Sequence, residues 1–108
     1  MAVVNRFDVF LVNLDPTPID AAKNTRPGVV VSPDEMNGNV DHVLIAPLAT
    51  TNVRYPTRVA VEFLNSERSV ILDQLRTVDK IRLVKKIGEI GEPAQSAILD
   101  RLTELFAK

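Results

Sequence analysis

The chain has no cysteine, which excludes disulfide scaffolds, zinc ribbons and thiol catalysis. Its one histidine, His42, leaves no His-rich metal centre and counts against a metal-dependent hydrolase. No apolar run reaches the roughly 18 residues of a membrane span. The first ten residues carry Arg6 and Asp8 and lack the apolar stretch of a signal peptide, so the expected location is the cytoplasm, away from any membrane. An excess of charge is missing too. Thirteen Lys plus Arg stand against 14 Asp plus Glu, a net charge of -1. That balance excludes a strongly basic nucleic-acid coat but allows a local basic patch. The four glycines are scattered and build no phosphate-cradling loop. Repeats, low-complexity stretches and Ser/Gly linkers are absent. What is there is ordinary: 108 residues, 45% hydrophobic and 25% charged. This is the composition of one globular domain, 1–108, whose core is small enough that dimerisation would supplement it.

Seven prolines and four glycines punctuate short apolar runs. Phe7 to Leu14 reads as a first strand, ended by Asp15-Pro16-Thr17-Pro18 because proline cannot continue a ladder. A polar loop is expected from Ile19 to Arg26. Val29 to Ser32, Val43 to Leu48 and Ser69 to Leu75 read as strands rich in β-branched residues. Arg58 to Leu64 alternates, with Val59, Val61 and Phe63 on one face and Arg58, Ala60 and Glu62 on the other. Asn37-Gly38-Asn39 and Asn65-Ser66 are turn signals. A second polar loop is expected over Ala49 to Thr57, a short helical turn over Thr77 to Ile81, and a last strand over Leu83 to Ile90. After Pro93 the spacing changes. Ile98, Leu102, Leu105 and Phe106 recur as one face of an amphipathic helix, expected to dock on the sheet. The architecture expected from the residues is mainly β: five or more short antiparallel strands, curled into a barrel or a tightly bent sheet, with a C-terminal α-helix.

Three polar clusters stand out. Asp15, Asp20, Lys23, Asn24, Thr25 and Arg26 crowd one loop; Thr50, Thr51, Asn52 and Arg54 crowd another; Asp73, Gln74, Arg76, Thr77, Asp79, Lys80 and Arg82 form a third. Arginine and lysine mixed with Thr, Asn and Gln suit a phosphate backbone. The same residues also fit turn caps and a solvated ion-pair network that contributes little. His42, between a turn and a strand, reads as structural. No Ser/His/Asp or Cys/His set assembles.

The ordered string of motifs is more specific than any one of them. The first strand with its Asp15-Pro16-Thr17 end, the Lys23-Asn24-Thr25-Arg26-Pro27-Gly28 segment, the strand end Ile45-Ala46-Pro47-Leu48-Ala49-Thr50-Thr51 and the run Asp73-Gln74-Leu75-Arg76-Thr77-Val78-Asp79 resemble, in the same order, segments of the MazF/PemK/Kid toxins. The resemblance runs from about Arg6 to Phe106, and the Asp73 to Asp79 run is its most specific part. It implies a small SH3-like antiparallel β-barrel with a C-terminal helix, forming a homodimer. It implies the toxin of a type II toxin-antitoxin system, a sequence-selective, cofactor-free and metal-independent endoribonuclease acting on single-stranded RNA, mostly messenger RNA. The implied partner is a cognate antitoxin of MazE/PemI type, whose disordered acidic tail occupies the RNA groove.

Cleavage without metal uses the RNA's own 2′-hydroxyl as nucleophile and leaves a 2′,3′-cyclic phosphate and a 5′-hydroxyl. Such a site needs a proton acceptor, a group to stabilise the phosphoryl charge and a donor to the leaving oxygen. Arg26 aligns with the family's catalytic arginine, and its planar fork suits two phosphate oxygens. The family's threonine position falls on Ala49 here, with Thr50 and Thr51 following. On a regular strand Thr51 would point as Ala49 does, and Thr50 would need a bulge or the start of the loop to re-aim it. Thr50, and then Thr51, are the candidates. The family's first-loop glutamate and histidine positions fall on Ala21 and Asp20, which makes Asp20 a candidate base. The arginine that Kid-type members carry two residues before Asp73 is Ile71 here, so Asp73 stays a catalytic candidate but without that acid-base partner. For RNA contacts the candidates are Lys23, Asn24, Thr25, Asn52, Arg54, Gln74 and Arg76, with Tyr55 as a stacking platform or a loop anchor. Arg76 is alternatively a brace for Asp73 or Asp79. Two other readings share the fold. A CcdB-like gyrase poison depends on a C-terminal Trp-Gly-Ile tail, where this sequence has Leu105-Phe106-Ala107-Lys108. A barrel that only binds would follow if Ala49 had removed catalysis.

Overall fold

The structure is a computed structural model and describes residues 3–14, 25–50 and 56–107. Among the described residues, β-branched and aromatic side chains place seven strands where they can be buried on a pleated surface: β1 (Asp8–Asn13), β2 (Thr25–Val30), β3 (His42–Ala49), β4 (Arg58–Phe63), β5 (Ser66–Ile71), β6 (Arg76–Asp79) and β7 (Leu83–Glu89). Two helices join them, α1 (Asp34–Asn39) and α2 (Ala94–Phe106). All pairings are antiparallel, in the order β4-β5-β3-β2-β1-β7, with β6 added beside β3.

β3 is the strand that bends the sheet. Its first half pairs with β6 from His42↔Asp79 to Ile45↔Arg76. Its middle pairs with β2 from Ile45↔Val30 to Pro47↔Gly28, and its last residues, Leu48 and Ala49, pair instead with Val70 and Ser69 of β5. The curl brings the two outermost strands together: a Cβ added at Gly88 of β7 would lie 2.8 Å from the Phe63 ring of β4. Gly88 also has φ +158°, at the edge of the range that side chains avoid. Gly88→Ala is therefore expected to lower stability by about 1–3 kcal/mol through overpacking. An unchanged Tm would contradict the closure.

The sheet buries both faces. Val9, Val29, Ala46, Leu48, Val59, Val61, Phe63 and Val70 form the inner cluster, closed by Leu72, Ile90 and Ile98 of α2. Phe10, Val12, Val30, Val43, Ile45 and Val78 form a smaller cluster on the other face.

Several boundaries differ from the sequence reading, each for a local reason. Thr25 and Arg26 belong to β2 rather than to a loop, because the ladder with β1 continues to Asn13↔Thr25. Pro27 is tolerated there because β3 begins to pair only at Gly28, leaving Pro27 one neighbouring strand. Val31 and Ser32 lie past the end of β2. The expected turn at Asn37-Gly38-Asn39 is the end of α1, which follows Pro33 and has Asp34 and Glu35 in its first turn. Buried Asn37 is fixed there: the Ser32 hydroxyl donates to its Oδ1 (2.5 Å) and its Nδ2 donates to the Ser32 carbonyl (2.9 Å). β5 starts at Ser66, three residues early, because Leu64 and Asn65 make the hairpin turn with φ of 51° and 61°. It ends at Ile71, and Leu72–Gln74 form a 3₁₀ turn. Thr77 and Val78 extend along β3 instead of forming a helical turn, which falls on Lys80–Arg82. On α2, Ile98 is fully buried, but Leu105 and Phe106 are exposed, Phe106 by 74%. The last turn of the helix is not core.

Candidate functional site

The bend of β3 leaves a groove of about 550 Å³ where the two halves of the sheet diverge. Its floor is Pro47, Leu48, Ala49 and Thr50, and Leu14 closes one end. Arg26 and Pro27 of β2, Arg76 of β6, Gln74 of the 3₁₀ turn and Arg68 of β5 form its walls. Arg26 and Arg76 come from strands on one side of the bend, and Arg68 comes from the other.

Arg26 is exposed, and its Nη1 donates to the Thr25 carbonyl at 3.0 Å. That bond fixes the side chain along its own strand and leaves most of the guanidinium facing solvent. Among the described residues no carboxylate pairs with Arg26, Arg68 or Arg76. Three guanidinium groups around one recess raise its potential and favour an anion. Thr50 follows the last residue of β3, is exposed and lines the same groove as Arg26. The alternation that would have turned it away ends at Ala49, so the loop start re-aims it. Gln74 and Arg76 also line the groove, whereas Thr25, paired with Asn13, is not among the lining residues.

Arg68 was not among the sequence candidates. The signal was present: Arg68 lies two residues before Val70, on the same strand parity, which puts an arginine on an otherwise apolar face. Starting the strand at Ser69 hid it.

Asp73 stands apart from the groove. The Thr57 hydroxyl donates to its Oδ1 at 3.0 Å, and Arg58 Nε is 3.6 Å from the same oxygen. The arginine that braces Asp73 is thus Arg58, not Arg76. The Thr57 hydrogen bond, with a smaller contribution from the Arg58 charge, holds the Asp73 carboxyl below its ordinary value near 3.8. A carboxylate so held is ionised at neutral pH and cannot donate a proton. A lowered folded-state value favours the fold above the unfolded-state value, and that contribution is lost as pH falls through the folded value. Thr57→Val is expected to move the Asp73 titration up towards 3.8, read by carboxyl NMR; an unmoved midpoint would contradict the assignment. The place of Asp73 is structural as well as electrostatic. With Leu72 buried, it anchors the 3₁₀ turn that delivers Gln74 to the groove.

A second recess, of about 210 Å³, adjoins the first through Leu14 and Arg76 and is lined also by Thr77, Asp79 and Arg82. The third polar cluster of the sequence is thereby divided between the two recesses and the Asp73 anchor, except Lys80, whose Nζ donates to the Asn37 carbonyl. Asp20, Lys23, Asn24, Thr51, Asn52, Arg54 and Tyr55 lie outside the described residues. His42 pairs with Asp79 across β3 and β6, away from the groove lining.

Comparisons with known proteins match the fold. A solved MazF from Deinococcus radiodurans superposes with a TM-score of 0.77 at 21% identity, covering 97% of each chain. An endoribonuclease from Mycobacterial species, solved in complex with its cognate antitoxin, superposes with a TM-score of 0.78 at 24% identity, covering 94% of this chain and 92% of its own. A relative from Staphylococcus epidermidis named endoribonuclease MazF is 29% identical over 96 residues, covering 83% of this chain and 80% of that protein. The family described as PemK-like, MazF-like toxin of type II toxin-antitoxin system matches residues 5–106. On the strength of that match, which spans every described strand and the C-terminal helix, the chain belongs to the PemK-like, MazF-like toxin family.

Proposed function

We propose that this toxin is an endoribonuclease that cleaves single-stranded RNA, messenger RNA above all, in the Arg26 groove without a metal ion. The observation that carries the reading is the convergence of Arg26, Arg76, Thr50 and Gln74 on one open recess whose described residues include no carboxylate. The Staphylococcus epidermidis relative, named endoribonuclease MazF, and the endoribonuclease from Mycobacterial species support the same activity.

In the proposed reaction the 2′-oxygen forms a bond to phosphorus while the bond from phosphorus to the 5′-oxygen breaks. The proton of the 2′-hydroxyl passes to a base, and a proton reaches the leaving 5′-oxygen. The products are a 2′,3′-cyclic phosphate and a 5′-hydroxyl. Arg26 faces the phosphoryl oxygens, and two parallel N–H donors of its fork offset the charge that builds there. The Thr50 hydroxyl donates to a non-bridging oxygen from the groove floor, with Thr51 as the alternative donor. Asp20 is the proposed proton acceptor. Asp73 positions Gln74 rather than moving a proton. Gln74, Arg76, Thr25, Lys23, Asn24, Asn52, Arg54 and Tyr55 are the proposed RNA contacts, the cations along phosphates and the amides at base edges.

The proposed partners are a cognate antitoxin, as in the complex from Mycobacterial species, and a second copy of the chain. Exposed Leu105 and Phe106 at the end of α2 supply an apolar surface for the latter. The proposed location is the cytoplasm; among the described residues no helix is long and apolar enough to cross a membrane. The test of the activity is incubation with mixed-sequence RNA in EDTA, followed by mapping of the ends. Defined cuts with 5′-hydroxyl ends support the reading. Intact RNA across many sequences, from folded protein, overturns it and directs attention to gyrase inhibition.

A further inference from the structure

We propose that Arg68 is a substrate-positioning residue that grips a phosphate next to the scissile one, on the Thr50 side of the groove. The inference rests on the RNA-cleaving reading above and extends it to a residue that no sequence motif marks.

The register places Arg68. Leu48 pairs with Val70 and Ala49 with Ser69, so the next step along β3 brings Thr50 beside Arg68. On its other side Arg68 pairs with Val61 of β4, which is buried. The arginine therefore ends a row of apolar residues on the inner face, half-buried, at the point where that face opens into the groove. A cation in that position loses part of its hydration, and no described carboxylate compensates it. An anionic ligand would.

The side chain is also held in place. Its Nε donates to the Phe63 carbonyl at 3.3 Å, across the tight Leu64-Asn65 turn. Phe63 is itself packed where the two edge strands approach at Gly88. The stem of Arg68 is thus tied to a rigid corner, while the two terminal nitrogens have no partner among the described residues. A pre-positioned fork loses little freedom on gripping a phosphate. Arg26 lies across the Pro47–Thr50 floor, on the other half of the sheet, so one phosphate does not have to serve both. Arg68 acts on the neighbour and thereby holds the strand in the groove, a contact made equally in the bound and the reacting RNA.

The test compares wild type with Arg68→Ala and Arg68→Lys on a short RNA, reading both cleavage and binding to a non-cleavable 2′-deoxy version. The RNA is also made with a neutral methylphosphonate replacing one phosphate at a time. Arg68→Ala is expected to raise KM about tenfold, the loss of a charge-assisted contact, with kcat within about twofold. The slope of log affinity against log salt should fall by about 0.7, one phosphate contact on a single strand. Arg68→Lys should keep the slope and recover only part of the affinity. One methylphosphonate beside the cut should weaken wild type and have no further effect on Arg68→Ala. Equal methylphosphonate penalties in both proteins at every position, or an unchanged salt slope, overturn the proposal. Should Arg68→Ala fail to fold by circular dichroism, Arg68→Lys, which keeps the packed stem, decides: binding equal to wild type with every RNA overturns it. A wild-type protein that binds and cuts no RNA overturns the parent reading instead, so the two failures are distinguishable.

Discussion

Arg26→Ala is expected to lower kcat/KM for RNA cleavage by about 10²–10³-fold while leaving Tm unchanged. The size follows from removing a donor aimed at developing charge. The unchanged Tm follows from the structure: Arg26 is exposed, and its one described bond is to the carbonyl of the preceding residue. Substitution at such a surface position ordinarily shifts stability by no more than about 0.5 kcal/mol. Arg26→Lys should fall between, because it keeps the charge and loses the two-pronged geometry. The position on β2 makes this test clean. Arg26 is held by the ladder to Val12 and not by a loop that could compensate by moving. Single-turnover rates and thermal melts on the three proteins check the prediction. A loss of less than tenfold would contradict the role.

Ile98→Ala is expected to destabilise the fold by about 2–5 kcal/mol, the range for truncating a fully buried aliphatic side chain. Ile98 is the only fully buried residue of α2 and packs into the inner cluster with Val59, Val61, Leu72 and Ile90. A domain of this size has about 5–15 kcal/mol to lose, so the variant should be marginal. Ile98→Val should cost about 0.5–1.5 kcal/mol. The helix start is separately secured: the Glu92 carboxylate accepts from the Ser96 hydroxyl at 2.8 Å and from its backbone N–H at 3.3 Å. The loss is therefore one of packing and not of capping. Urea titrations should show a lower midpoint with an unchanged slope. A midpoint equal to wild type would mean that α2 does not cap the inner cluster.

Periodicity alone made much of the fold legible. The alternation of Val59, Val61 and Phe63 located β4 to within a residue, and the spacing from Pro93 located α2. The misplacements share one cause: neighbouring elements overrode local signals. Arg26 and Pro27 look like loop residues until β1 offers them a ladder, and Asn37-Gly38 looks like a turn until Ser32 captures the asparagine. Likewise Leu105 and Phe106 match the helix period but extend past the sheet that would bury them. Part of the candidate groove was legible where motif and topology agree. Arg26, Thr50, Gln74 and Arg76 were named from the sequence, and they line one groove. The anchoring of Asp73 by Thr57 and Arg58 was not legible, because it depends on β4 packing beside a 3₁₀ turn sixteen residues further on. Arg68 was missed because a strand begun at Ser69 leaves it outside the ladder and hides the parity it shares with Val70; the register then shows where it opens.

The most direct measurement is cleavage of two RNAs in EDTA, identical except for a single 2′-deoxy nucleotide on the 5′ side of the mapped cut. Wild type is expected to cut the all-ribose strand to a 2′,3′-cyclic phosphate and a 5′-hydroxyl, and to spare the same bond in the deoxy strand. Arg26→Ala should cut the all-ribose strand about 10²–10³-fold more slowly and spare the deoxy strand. Cleavage of the deoxy strand at that bond, or undiminished cleavage by Arg26→Ala, would contradict attack by the RNA's own hydroxyl in the Arg26 groove.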